Sequence, residues 1–250
     1  MQLSQSIKKF IHALGQKKYR DEQKLFVAEG EKVIADIMES GAIPKYVVYE
    51  SSRNRTLHFP SATKQYECDA KEMQFISTMS TAPGVLAVFP QWGIDASVWE
   101  AAHPRWLIAD GIKDPGNMGT LIRTAHWFGV QAVICINSCV ELYNPKTVQS
   151  TMGSLGKIPV IHVDAEEFFN RFSGKTIFYG ADLEGEKLNK FEPQKTFALI
   201  IGSESHGLSE MASKHISQKI FIPEYDEKNR PESLNAAVSA GIILSRIAAE

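Results

Sequence analysis

What most constrains this chain is a succession of short apolar runs in its C-terminal two-thirds, each set apart from the next by polar or helix-length sequence. They cover residues 106–109, 132–136, 158–163, 176–179, 197–201 and 220–222. Runs this short, rich in Val and Ile and without strict alternation, predict strands buried on both faces of a mainly parallel sheet. Helical patterns at residues 119–128, 165–172 and 233–249 supply the covering layers. The expected fold class is therefore α/β.

Residues 1 to about 90 predict a second, smaller α/β unit that reads helix, strand, helix, strand. An apolar stretch at 25–28 precedes a helix at 31–40, a second apolar segment lies at 45–50, and residues 71–78 look helical. Pro83 and Gly84 punctuate the entry to a strand at 85–89, and Pro90 closes it, so a boundary falls near residues 90–102. Two domains, 1–92 and 103–250, suit a length of 250 residues.

Composition narrows the class without deciding the activity. A hydrophobic content of 44% with 22% charged residues is that of an ordinary globular protein, not a disordered one. No apolar run approaches the roughly 18 to 20 residues that span a bilayer, and the first residues lack a secretory apolar region, so the expected location is the cytoplasm, with no membrane partner. Cys68, Cys135 and Cys139 match no common zinc or redox spacing and read as buried or inert thiols. A net charge of −2 says nothing about nucleic acid, because binding depends on local patches.

In parallel sheets ligands bind at the carboxyl ends of strands, which directs attention to three stretches. The first, residues 110–125, follows the run 106–109. Gly111, Gly116 and Gly119 allow close backbone approach, Asn117 offers donors and an acceptor, and Arg123 lies on the helix that follows. An arginine there can hold phosphate or stabilise an oxyanion; the same residues also describe a capped helix with an arginine paired on the surface. The second stretch, residues 202–209, is a glycine-bounded loop carrying Glu204. With no lysine after Gly207 it is not a phosphate loop, and the order around Ser205 and His206 is not a nucleophile elbow. The third runs from Ile222-Pro223, through a polar insert at 224–230, to Pro231-Glu232-Ser233-Leu234-Asn235. Ser233 or Glu232 stands where a helix cap belongs, and Asn235 reads as an amide buried just inside an apolar helix, which would need partners.

Together these stretches resemble the three motifs of the SpoU-type (TrmH-like) RNA 2′-O-ribose methyltransferases of the SPOUT superfamily. The match rests on Asp114-Pro115-Gly116-Asn117-Met118-Gly119 with Arg123-Thr124-Ala125, on Ile201-Gly202-Ser203-Glu204 with Gly207-Leu208-Ser209, and on Ile222-Pro223 with Glu232-Ser233-Leu234-Asn235. Tyr143 to Lys146 and Met152 to Ser154 also look like the family's segment between the first two motifs. Residues 16–20 and 26–32 resemble the substrate-binding domain of many members. Ser205 and an insert about three residues longer than the family pattern are departures that bear on the cofactor loop.

The resemblance implies a C-terminal domain with a deep trefoil knot, S-adenosyl-L-methionine as cofactor, structured RNA as partner, ribosomal more than transfer RNA, and a homodimer. It implies cofactor contacts, largely through backbone groups, at Gly202, Ile222 and Leu234. Arg123 would act at the ribose, with Asn117, Asn235, Ser233 and Glu204 orienting the reacting groups. Lys8, Lys9, Lys17, Lys18, Tyr19, Arg20, Arg53 and Arg55 are candidate RNA contacts, and for any one lysine a solvated surface charge is the competing reading. The alternative function is an RNA-binding or assembly protein that keeps the fold without catalysis.

Overall fold

A computed structural model describes residues 1–93, 96–100, 104–226 and 231–248. The expected residue 249 of the last helix, and residues 227–230 of the polar insert, lie outside the described residues. The chain divides into two compact units, residues 1–93 with 141–157, and residues 94–140 with 158–250.

In the first unit the elements are α1 (Gln5–Ala13), α2 (Lys17–Gln23), β1 (Leu25–Glu29), α3 (Glu31–Glu39), β2 (Tyr46–Glu50), β3 (Lys64–Cys68), α4 (Ala70–Ile76) and β4 (Val85–Pro90). The strands form a four-stranded sheet in the order β1-β4-β2-β3, in which β2 and β3 are parallel and the other pairs antiparallel. Alternate side chains leave opposite faces. Leu25 and Val27 pack with Ile11 of α1, its C-cap Leu14, and Met73 and Ile76 of α4, whereas Phe26 and Ala28 pack with Val33, Ile34 and Ile37 of α3. Each such apolar side chain contributes roughly 1.5–3 kcal/mol on full burial. β3 was not legible as an apolar run, since only Tyr66 and Cys68 of Lys-Gln-Tyr-Glu-Cys turn inward.

The segment 141–157 belongs to this unit although it lies beyond residue 103. Its helix, α6 (Pro145–Ser150), is capped by Asn144 and contributes Val148, with Leu155 after it, to the Phe26 cluster. Arg20, 2% exposed, is bound to Glu141 and donates to the carbonyls of Leu14 and Gly15 at 2.8 and 2.7 Å. Burial holds its guanidinium below the ordinary value.

In the second unit a short 3-10 turn at Ala96–Glu100 precedes β5 (Arg105–Asp110), α5 (Pro115–Trp127) and β6 (Ala132–Ile136). After the excursion to the first unit come β7 (Val160–His162), α7 (Ala165–Phe172), β8 (Phe178–Lys187), β9 (Phe197–Gly202), α8 (Glu210–His215), β10 (Gln218–Phe221) and α9 (Ala236–Ile247). The six strands form one sheet, ordered β10-β8-β9-β5-β6-β7, and all of the pairings are parallel. Trp106, Ile108, Ile134 and Ile200 pack with Phe168, Phe169 and Phe172 of α7 on one face. Leu107, Val133 and Leu199 alternate with them and are equally buried, while α9 packs on β9 and α5 on β6. Both faces are thus covered, which is why the strands read as continuous apolar runs.

Two helix starts differ from the sequence reading. α5 begins at Pro115, four residues earlier than expected: Asp114 accepts from the Asn117 N–H at 2.8 Å, and Pro115 occupies the first turn, where its missing N–H costs nothing. α9 begins at Ala236 with Asn235 as its cap, accepting from the N–H groups of Ala237 and Val238 at 3.0 and 3.2 Å. Ser233 and Glu232 are therefore not the cap, and Asn235 is exposed, not buried within the helix.

Candidate active site

The strand order changes direction at β5. The chain proceeds from β5 outward through β6 and β7, then returns to place β9 on the other side of β5. The carboxyl ends at this switch point are level: Asp110 is the register partner of Ile136 on one side and of Gly202 on the other. A crevice at such a point is where open parallel sheets hold ligands. Glu204 follows closely on the end of β9, and Asn117 stands in the first turn of the helix after β5.

Three of them are joined by hydrogen bonds. Asn235 Nδ2 donates to Asn117 Oδ1 at 2.8 Å, and Asn117 Nδ2 donates to Glu204 Oε1. The three residues come from the first turn of α5, the loop after β9 and the cap of α9, and lie 87 and 118 positions from Asn117 in sequence. Each amide thereby has a fixed orientation. Ser233 is exposed and does not join this chain of bonds, and Arg123 projects from α5 into solvent with no hydrogen bond or ion pair among the described residues. Glu204 holds Asn117, not the arginine.

Beside Glu204 lies a cavity of about 1000 Å³, lined by backbone and side chains of the ends of β8, β9 and β10 and of the segment leading into α9. Gly202, Ile222 and Leu234 all border it, as do Glu204 and Ser233. Gly202 has no room for a side chain: a Cβ would lie 2.2 Å from the carbonyl carbon and oxygen of Gly207. That close approach lets the loop turn back on itself, with the Ser203 N–H donating to the Gly207 carbonyl at 3.1 Å and the Gly207 N–H to the Ser203 carbonyl at 2.8 Å. Gly207 itself has a positive φ of 64°, which glycine adopts without strain. Ser205 and His206 are hydrogen-bonded to each other at 2.8 Å. No carboxylate orients His206 among the described residues, so a hydrolytic triad is not assembled.

A sequence profile of the SpoU rRNA Methylase family matches residues 104–245. The chain belongs to this family. A profile of the MRM3-like substrate binding domain matches residues 5–87. Among relatives of the SpoU-containing chain, the 23S rRNA (guanosine(2553)-2′-O)-methyltransferase RlmP of Bacillus subtilis is 26% identical over 232 residues, covering 91% of this chain and 90% of its own. Of solved structures, a protein assigned to the TrmH family of RNA methyltransferases from Porphyromonas gingivalis aligns with a TM-score of 0.85 at 28% identity, covering 98% of both chains. An AdoMet-bound rRNA methyltransferase from Sinorhizobium meliloti aligns with a TM-score of 0.83 at 27% identity, covering 98% of this chain and 95% of that one.

For a SpoU family member the cavity suits S-adenosylmethionine. Its volume is in the range of small-molecule sites, Ile201, Leu208, Ile220 and Ile222 offer apolar walls, and the glycine turn exposes backbone polar groups. The sequence reading missed the β8 side of this cavity, Ala181 to Glu184, because the strand runs on to Lys187, well beyond its apolar start. Burial alone would raise the Asp182 carboxyl, but the Glu184 N–H and Lys219 hold it below its ordinary range. In the substrate-binding unit the candidate RNA contacts separate. Arg20 is buried and internally bonded, Lys8 is paired with Glu72, Lys17 with Asp21 and Arg55 with Glu67, whereas Lys9, Lys18, Tyr19 and Arg53 are exposed. Arg20 is therefore withdrawn from the RNA-contacting set.

Gly202→Ala is expected to open the loop, at a cost of about 1–3 kcal/mol. In thermal melts the variant should start lower than the wild type and lose the upward shift that S-adenosylmethionine gives the wild type; a wild-type shift would mean the close approach is not needed.

Proposed function

We propose that this chain transfers a methyl group from S-adenosylmethionine to the ribose 2′-hydroxyl of a nucleotide in ribosomal RNA. The carrying observation is the hydrogen-bonded chain Glu204, Asn117, Asn235, which draws three distant motif segments together at the edge of a backbone-rich cavity. Family membership and the rRNA methyltransferases among its relatives support the same reaction.

The cofactor, when bound, supplies a methyl group made electrophilic by its sulfonium. Gly202, Ile222 and Leu234 would hold it, chiefly through backbone groups, and the carboxylates of Asp182, Glu184 and Glu232 favour its cationic end. What the chain itself supplies is alignment of the ribose and stabilisation of charge on its 2′-oxygen. Asn117 and Asn235 each keep one amide N–H, and Glu204 keeps Oε2, beyond the bonds they make to one another. Those groups would orient ribose hydroxyls, together with the Ser233 hydroxyl. Among the described residues Arg123 has no internal partner to give up. A guanidinium is a poor base, so its role is to grip the adjoining phosphate and stabilise negative charge on the 2′-oxygen. The proton then leaves through phosphate or water.

We assign RNA recognition to residues 1–92 and catalysis to 103–250, with the C-terminal sheet threaded as the deep trefoil knot. No helix among the described residues is long and apolar enough to cross a membrane, and we place the protein in the cytoplasm. We also propose that two copies pair through α9. Val238 and Ile242 of α9 are 50% and 36% exposed at four-residue spacing, on one helical face, and Leu234, just before the cap, is 43% exposed; a second copy would cover this apolar surface.

With purified protein and unmodified ribosomal RNA, Arg123→Ala should lose about a hundredfold or more in kcat while calorimetry gives unchanged cofactor affinity; unimpaired turnover would remove Arg123 from the mechanism. Val238→Glu should sediment as a monomer where the wild type sediments as a dimer. A wild-type monomer would dispose of the pairing.

A further inference from the structure

Beneath the site lies a polar cluster that the mechanism above does not use. Asp110, the last residue of β5, is 2% exposed. Its Oδ2 accepts from the Ser209 N–H at 2.7 Å, and its Oδ1 from Asn137 Nδ2, also at 2.7 Å. Asn137 Nδ2 donates in addition to Ser209 Oγ at 3.0 Å. Asn137 follows the end of β6 and adopts a φ of 54°, a left-handed conformation that asparagine tolerates better than most residues. Ser209 follows the β9 loop and caps α8. One buried carboxylate therefore ties together the loops that leave three neighbouring strands.

Its position matters because of a second junction. Asp110 and Asn117 belong to one segment, Glu204 and Ser209 to another, and the two segments are bonded at both ends: Asp110 to Ser209, and Asn117 to Glu204. They close a ring of chain. The portion of that ring from Glu204 to Leu208 is a wall of the cofactor cavity. With only one junction the wall could pivot; with two its position is set.

We infer that Asp110, with Asn137 and Ser209, is the positioning group that fixes the cofactor-cavity wall to the ribose-binding end of α5, so that donor and acceptor substrates are presented together. The inference rests on the methyltransferase reading. Asp110 touches neither substrate, and its effect passes through the Glu204 to Ser209 loop.

The hydrogen-bond pattern supplies its own test. In Asp110→Asn, one amide N–H must face either Asn137 Nδ2 or the Ser209 N–H, donor against donor; Asn137→Asp places two carboxylates together. In the double variant Asp110→Asn with Asn137→Asp, the amide at 110 donates to the carboxylate at 137 and still accepts from the Ser209 N–H. Each single variant should weaken S-adenosylmethionine binding, measured by calorimetry on folded protein, by about tenfold or more, and the double variant should return to within about threefold of wild type. Single variants that bind like wild type, or a folded double variant with no recovery, would overturn the inference. Should neither single variant fold, Asn137→Ala carries the test: it keeps the bond from Asp110 to Ser209 and removes only the β6 arm. Loss of affinity is then expected and undiminished affinity is contrary. Wild-type protein that takes up no S-adenosylmethionine would count instead against the methyltransferase reading itself.

Discussion

The site depends on the parallel pairing of β5 with β9, two strands far apart in the sequence. Their pairing runs from Arg105 with Phe197 to Asp110 with Gly202, so both strands end at the same height beside β6. A slip of one residue would turn every side chain to the other face and take Asp110 out of reach of Ser209. β5 and β9 are buried along their lengths except at Arg105 and Gly202, and their register fixes where the loops begin. The polar chemistry is an overhang on that apolar frame.

From this frame the two sides of the reaction separate in space. Gly202, Ile222 and Leu234 border the cavity, while Arg123 stands on the exposed face of α5. Between them the amides of Asn117 and Asn235 are held rigid, each having one hydrogen bond committed to the other. Such fixed dipoles can act on a ribose without reorganising when charge develops. Among the described residues Arg123 has no internal partner, which suits the phosphate-gripping role proposed for it.

Much of the frame was legible in the sequence because parallel strands covered on both faces leave unbroken apolar runs. Residues 132–136 and 165–172 coincide with β6 and α7. β3 was not legible: its alternating Lys-Gln-Tyr-Glu-Cys leaves two inward residues, too few to distinguish from a loop. The start of α9 was misplaced because Ser233 and Asn235 are both good caps, and only the fold, which directs the Asn235 amide toward Asn117, decides between them. Individual site residues could be proposed from motif resemblance, but Asp110, although it opens the stretch 110–125, could not be assigned a role. A carboxylate at a strand end has meaning only once Ser209, 99 positions later, is seen to donate to it. Likewise Arg20 reads as a basic surface residue until its burial beside Glu141 is known.

The central claim is that this arrangement methylates one ribose in ribosomal RNA, and the most direct measurement is a map of 2′-O-methyl groups in the ribosomal RNA of cells with and without the gene. The account predicts the loss of methylation at a discrete nucleotide and its return when the wild-type gene is restored. An identical methylation map in both cells would contradict it.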